Sequence, residues 1–359
     1  MKHWILFFVL LSIGVSGHAQ AIPSSASESS DSSKEKKLDF VPVPYISYNR
    51  TTEFEYGLIP LFMYKLNRED TISPKSISGG LAVRTTNGTG FAFLFNRWYL
   101  KEDKYRLAFA AGYGNYNAQV FIDNIWIPSD FYDFSTEFGV LYTGIQRRVW
   151  RDLFLGIGMV YVNTESQIDP FEERVSDNER VGLSFTTSYD TRDDVYFPRD
   201  GSLFEARSST FLKWFSNEEE STVLKGGFNE YLSIRQNKDV LAIRLSTDLA
   251  VGEVSFEQQV VVGGVEVRGY SQGKFRGEQV YNLQAEYRWM PLSHLGFVGF
   301  GSMSKLYGST IDAHNEYWYP AIGGGVRYLV LKENNMRVGL DYGVGREDWG
   351  VYFKIGESF

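Results

Sequence analysis

YNLQAEYRW, Tyr281 to Trp289, alternates strictly: Leu283, Ala285, Tyr287 and Trp289 fall on one face of an extended chain, Asn282, Gln284, Glu286 and Arg288 on the other. One face is apolar and ends in aromatics, and the other is polar and charged. The same period of two runs through VLAIRLSTDLA, Val240 to Ala250, where Leu241, Ile243, Leu245 and Leu249 oppose Ala242, Arg244, Ser246 and Asp248. In MRVGLDYGV, Met336 to Val344, Val338, Leu340, Tyr342 and Val344 oppose Arg337, Gly339, Asp341 and Gly343. The last run, WGVYFKIGESF, places Trp349, Val351, Phe353, Ile355 and Phe359 on one face, so alternation predicts an outward Phe359 at the end of the last strand.

A soluble sandwich alternates in the same way, so period alone leaves two architectures open. Strand length favours one of them. The runs are about ten residues long, as a tilted membrane-crossing strand requires, and Tyr, Trp and Phe gather toward their ends as in an interfacial girdle. They recur about every twenty residues between clusters of Gly, Asn, Asp and Pro, which gives about sixteen strands. The expected fold is all-β: a transmembrane antiparallel β-barrel whose polar face lines the lumen. If the first strand, near Phe40 to Tyr48, rises from the periplasm, YDTRDDVYFPRDG joins strands eight and nine inside the cell envelope. VEVRGYSQGKFRG, Val265 to Gly277, then joins strands eleven and twelve outside.

The chain begins MKHWILFFVLLSIGVSGHAQA, a basic residue, a short apolar run and small residues, which reads as a cleavable secretory signal over residues 1–21. Residues 22–37 are Ser-rich, too polar to order themselves, and read as a flexible tail. Residues 38–359 carry no further break in composition and read as one barrel domain. No cysteine is present, which excludes disulfides, thiol chemistry and thiolate metal sites. A net charge of -8 with 23 Tyr, 27 Phe and 35 Gly argues against a nucleic-acid partner and for a turn-rich β protein. Export, a barrel and the lack of a lipidation cysteine point to the bacterial outer membrane, with its lipids as the surrounding partner.

Candidate chemistry is sparse. Asp190, Asp193 and Asp194 lack the spaced ligand series of a calcium loop and include Arg192, so they read as a salt-bridged turn closed by Pro198 and Gly201. His294 and His314 have no metal spacing, and no G-x-S-x-G accompanies them. No metal, cofactor or enzymatic activity is expected. GGGVRY, Gly323 to Tyr328, precedes no helix; its glycines read as places where a barrel strand bends.

Three stretches together resemble the outer-membrane assembly-factor superfamily, the bacterial surface antigen barrels of the BamA and TamA type. They are VRGY, Val267, Arg268, Gly269 and Tyr270, with FRG after it; SYDTRDDVYFPRDGSLFEA, Ser188 to Ala206; and the closing run to Phe359. The resemblance implies a sixteen-stranded barrel whose VRGY loop folds into the lumen, where Arg268 pairs with an acid on the next strand, here Glu286. It also implies a second acid on the strand after, within F-x-D-x-G. This chain reads FVGFG, with Gly299 at that place, and Asp341 is the substitute at hand. The periplasmic POTRA domains of such factors do not fit within residues 22–37. The activity implied is insertion or translocation of outer-membrane proteins or lipids, with client proteins and a separate periplasmic partner; the alternative is a passive channel or structural barrel. Pro42 and Pro44 withhold ladder donors from the first strand, so its seam with the last strand, around Tyr352, Phe353 and Phe359, should pair incompletely.

Overall fold

Along Gln279–Trp289 every second side chain is buried, and the buried ones are nearly all polar. Leu283 and Trp289 are 50% and 45% exposed, whereas Glu286 and Arg288 are 0% exposed. A water-soluble protein would be arranged the other way round. An apolar exterior and a charged interior suit a chain whose solvent is lipid.

The computed structural model describes residues 38–359 apart from 125–126, 169–173, 195–196, 236–237, 255–257, 265–266, 272–273 and 333–334. The signal over 1–21 and the tail over 22–37 lie outside the described residues. The first half is built from β1 (Asp39–Asn49), β2 (Glu53–Tyr64), β3 (Ser76–Thr85), β4 (Gly90–Leu100), β5 (Tyr105–Asn124), β6 (Ile127–Trp150), β7 (Leu153–Ile168) and β8 (Arg174–Asp190). The second half contains β9 (Gly201–Phe211), β10 (Ser221–Ile234), β11 (Asp239–Gly252), β14 (Gln279–Trp289), β15 (Leu295–Tyr307), β16 (Trp318–Leu331), β17 (Met336–Gly345) and β18 (Asp348–Ile355). These sixteen strands close into one antiparallel barrel, with β1 beside β18. Two short strands, β12 (Val260–Val262) and β13 (Phe275–Gly277), pair only with each other, within the long connection between β11 and β14. That connection joins the eleventh and twelfth barrel strands. No described helix is long and apolar enough to cross a membrane; the crossing elements are strands.

Strands β5 to β8 hold 20, 24, 16 and 17 residues, more than the ~10 that a crossing needs. Pairing of β5 with β4 stops at Asn115, while pairing with β6 continues to Asn124, so this sheet projects past its neighbours at the end opposite the termini.

The last strand ends at Ile355, short of the expected Phe359. Gly356 takes a positive φ of 77°, and the chain turns into the lumen. Phe359 is therefore not on the outer face: its ring packs with Phe197, Leu203, Tyr231, Val240 and Ala242. Alternation predicts a face only while the strand continues.

Candidate functional site

The connection between β11 and β14 enters the barrel. Its core, Val260, Val262, Val267, Tyr270 and Phe275, packs on Ala250 of β11, Val280 of β14, Leu306 of β15 and Ala321 of β16. At the tip, Gly269 holds φ at 115°, and a Cβ there would come within 2.9 Å of the Val344 backbone. Only glycine permits both the turn and the approach. The Gly269 N–H donates to the Tyr352 hydroxyl at 2.9 Å, and that hydroxyl donates to the Tyr270 carbonyl at 3.2 Å. Tyr270 donates its own hydroxyl to the Pro320 carbonyl at 2.5 Å, and Ser271 donates its N–H to Asp348 at 2.8 Å. The loop is thus tied to β16, to the start of β18 and to Tyr352 within it.

Arg268 reaches deepest. Its Nη2 lies 2.8 Å from Glu286 Oε2 and its Nη1 2.5 Å from Asp341 Oδ2, while the guanidinium stacks 3.5 Å from the Phe300 ring centroid. Glu286 also accepts from Arg288 Nε at 2.9 Å, and Arg327 bonds Asp341 through both terminal nitrogens. Arg327 Nε donates to Glu357 at 2.9 Å. Three guanidiniums and three carboxylates, all nearly or fully buried, thus neutralise one another in a single network. Such a network is favourable only when complete; deleting one member strands the others in a poorly solvating place.

Gly299 does not leave a gap in this network. It stands opposite Tyr287 and Gly324 on the outward face, between lumenal Val298 and Phe300, so an acid there would point away from Arg268. The lumenal place is taken by the Phe300 ring, and the second acid comes from β17. Two glycines of β16 make room for this site. A Cβ on Gly323 would lie 2.2 Å from the Phe300 ring, and one on Gly325 would lie 2.0 Å from the Asp341 carboxylate.

The aspartate-rich turn between β8 and β9 meets the same centre. Arg192 donates to both oxygens of Asp190, at 2.9 and 3.2 Å. Asp193 accepts the N–H groups of Arg199 and Asp200, and Asp194 accepts that of Phe197. Each carboxylate is thus used by the turn itself, which Gly201 leads into β9. Pro198 offers its carbonyl to Arg288 at 3.4 Å, and Arg288 Nη2 donates to the Phe359 carbonyl at 2.6 Å. Ser358 adds a bond to Glu286 at 3.1 Å. The three stretches that the sequence singles out therefore converge on Glu286 and Arg288. Arg327 and Glu357, which complete the network, carry no local signature; only their side of the strand or its turn marks them.

The seam lies alongside. β1 pairs with β2 along its whole length, from Asp39 opposite Met63 to Asn49 opposite Glu53. With β18 its register holds only Tyr48 opposite Val351 and Asn49 opposite Gly350. Pro42 stands opposite Pro60, and neither has an N–H, so this pair is of the non-hydrogen-bonded kind and the bonds run through Val41 with Leu61 and Val43 with Ile59. The even-numbered residues of β1 then turn their backbone groups toward β18, where Pro42 and Pro44 have no donor to give. Pro60, by the same alternation, faces β3, and that register skips Ile59 and Pro60. Past the paired residues, side chains take over. Lumenal Val41 and Val43 form a cluster with Met336, against which Val338, Phe353 and Ile355 pack. Those three lie on the outer faces of β17 and β18, so the end of the last hairpin tucks behind β1. Tyr45 and Phe353 meet edge to face, with centroids 5.8 Å apart.

A closed barrel with an apolar exterior, a charged lumen and an inserted, ion-paired loop defines an outer-membrane β-barrel. The family profile of the Omp85 superfamily domain matches residues 73–359, and the chain belongs to that superfamily. No curated protein matches it. Among solved structures it is similar to BamA from Haemophilus ducreyi lacking POTRA domains 1-3, with 14% identity, a TM-score of 0.58, 89% of this chain and 70% of that one covered. It is also similar to CdiB from Acinetobacter baumannii, with 12% identity, a TM-score of 0.62, and 89% and 60% covered. CdiB from Escherichia coli gives 11% identity, a TM-score of 0.61, and 90% and 64% covered. At these identities the likeness is one of fold, and this chain spans less than two thirds of either CdiB.

Proposed function

We propose that this barrel inserts or translocates proteins or lipids at the outer membrane, without enzymatic chemistry, through a lateral seam between β1 and β18. The observation that carries the reading is the unequal pairing of β1, complete toward β2 and confined to Tyr48 and Asn49 toward β18. A strand edge with unused backbone groups accepts another strand by β-augmentation. The overlap of apolar side chains beneath the seam keeps the edge covered when no client is present. Arg268, paired with Glu286 and Asp341, locks the loop in the lumen beside the last strand. Outer-membrane proteins are the clients, lipid surrounds the barrel, and residues 24–37 recruit a separate periplasmic partner.

The test joins the two seam strands covalently. Tyr48 and Val351 face each other in the register that does form, so Tyr48→Cys with Val351→Cys places a disulfide across the seam. Depletion of the protein, or oxidation of this variant, lowers the levels of other outer-membrane barrels, and reductant restores them. If those levels stay constant while the purified protein conducts ions steadily in planar bilayers, the barrel is a passive channel and the assembly reading is overturned. Pull-downs with and without residues 24–37 test the periplasmic partner; equal recovery excludes the tail.

A further inference from the structure

Two rows of lumenal side chains lie between the apolar core of the loop and the ion network. Asn229, Arg244, Gln284 and Ser302 stand side by side across β10, β11, β14 and β15, and Gly227, Ser246, Asn282 and Ser304 form the next row. Five of their polar atoms are sealed from solvent without a hydrogen-bond partner among the described residues: Asn229 Oδ1, Asn282 Oδ1, Gln284 Nε2, Ser302 Oγ and Ser304 Oγ. Folded proteins leave few buried polar groups unpaired, because each has given up water and received nothing in return. Five on one stretch of wall call for a cause.

For the four on β14 and β15, the path of the loop supplies it. The loop packs on Val280 and Leu306, and its tip places Arg268 against Glu286 and Phe300. Between those contacts, on the same faces of β14 and β15, lie Asn282 and Gln284 and then Ser304 and Ser302. The loop therefore descends about 20 Å along the wall, six residues of strand, and covers these side chains as it goes. What holds it there is an apolar core at the top and the ion network at the bottom. What it covers is polar and left dry.

We propose that the inserted loop is poised between two opposed forces: its apolar core and the ion network draw it down, and the dehydrated polar wall of β14 and β15 favours its release. When the loop leaves, water reaches the four unpaired atoms of Asn282, Gln284, Ser302 and Ser304, and that hydration offsets part of the loss of the Arg268 contacts. The wall thus sets how readily the loop lets go. This inference rests on the path of the loop and not on what the barrel transports.

The chain contains no cysteine, so Val262→Cys, at a fully buried position of the loop, gives a single thiol whose labelling rate reads loop exit. In the full chain in lipid vesicles, adding Ser304→Ala slows labelling by about tenfold, since removing a dry, unpaired group favours the covered state. Asn282→Leu acts in the same direction. Arg268→Ala acts oppositely and speeds labelling. If Ser304→Ala leaves labelling unchanged or faster, the dry-wall inference is overturned, even where Arg268→Ala still frees the loop. Ser304→Ala removes one atom and introduces no bulk, so it decides the matter even if Asn282→Leu fails to fold.

Discussion

β1 has two neighbours and joins them by different means. Toward β2 the backbone does the joining, in an unbroken ladder; toward β18 a two-residue ladder gives way to overlapping side chains. The prolines draw this line, since their missing donors fall on one side of the strand only. A ladder resists separation at every residue, whereas a side-chain overlap can slide. The closed barrel is thus uniform in topology and uneven in strength.

The largest effect should come from the network that braces the weak side. Arg268→Ala leaves Glu286 and Asp341 short of a buried partner, and is expected to cost about 3–5 kcal/mol. It should lower the temperature at which the compact, heat-resistant form disappears on a gel. Glu286→Ala should do nearly the same, and the double variant should fall short of the sum by about 1 kcal/mol or more. Additive losses would show that the two side chains act independently.

Phe359→Ala removes a buried ring from the anchor behind β18 and should cost about 3 kcal/mol. Amide exchange should quicken in β18 and remain unchanged in β2. An equal rise in both strands would mean that the anchor supports the whole barrel and not the seam.

Replacing both Pro42 and Pro44 with valine restores two donors on the β18 side, for a gain of about 1 kcal/mol for each bond formed. Exchange at Phe353 to Ile355 should then slow. Slower exchange confined to β2 would refute the orientation deduced from the Pro42 and Pro60 pair.

The smallest effect lies on the well-paired side, in the turn 65–75 after β2. Asp70 accepts the N–H of Ile72 and Ser73, the Ser73 hydroxyl and the N–H of Glu102. Burial alone would raise its pKa, but the bonds from Ser73 and then Glu102 outweigh it and hold the carboxyl at about 2. A depressed carboxyl stabilises above its unfolded pKa, near 4, and the benefit fades as pH falls toward about 2. Asp70→Asn should cost about 1 kcal/mol and leave seam exchange unaltered. A carboxyl titration centred near 4 in the folded protein would contradict this.

The barrel was legible in the sequence because a period of two survives in β11, β14, β17 and β18, and Glu286 could be assigned to the lumen from its own alternation. Gly299 was harder. Its place in F-x-D-x-G suggested a lumenal vacancy, whereas its register opposite Tyr287 sets it outward, and a motif carries no register. Phe359 misled because alternation continues in the letters past Gly356, where the backbone turns. The β16 glycines were read within their own strand, but the groups they make room for, Phe300 and Asp341, come from β15 and β17.

Tyr352 belongs to the seam strand, yet its single hydroxyl bonds the loop backbone on both sides of the Gly269–Tyr270 peptide. Any displacement that carries Tyr352 away breaks both bonds at once. A seam that opened by moving β18 would therefore release the loop backbone in the same event, and a kinetic trace of either motion would then contain the time constant of the other.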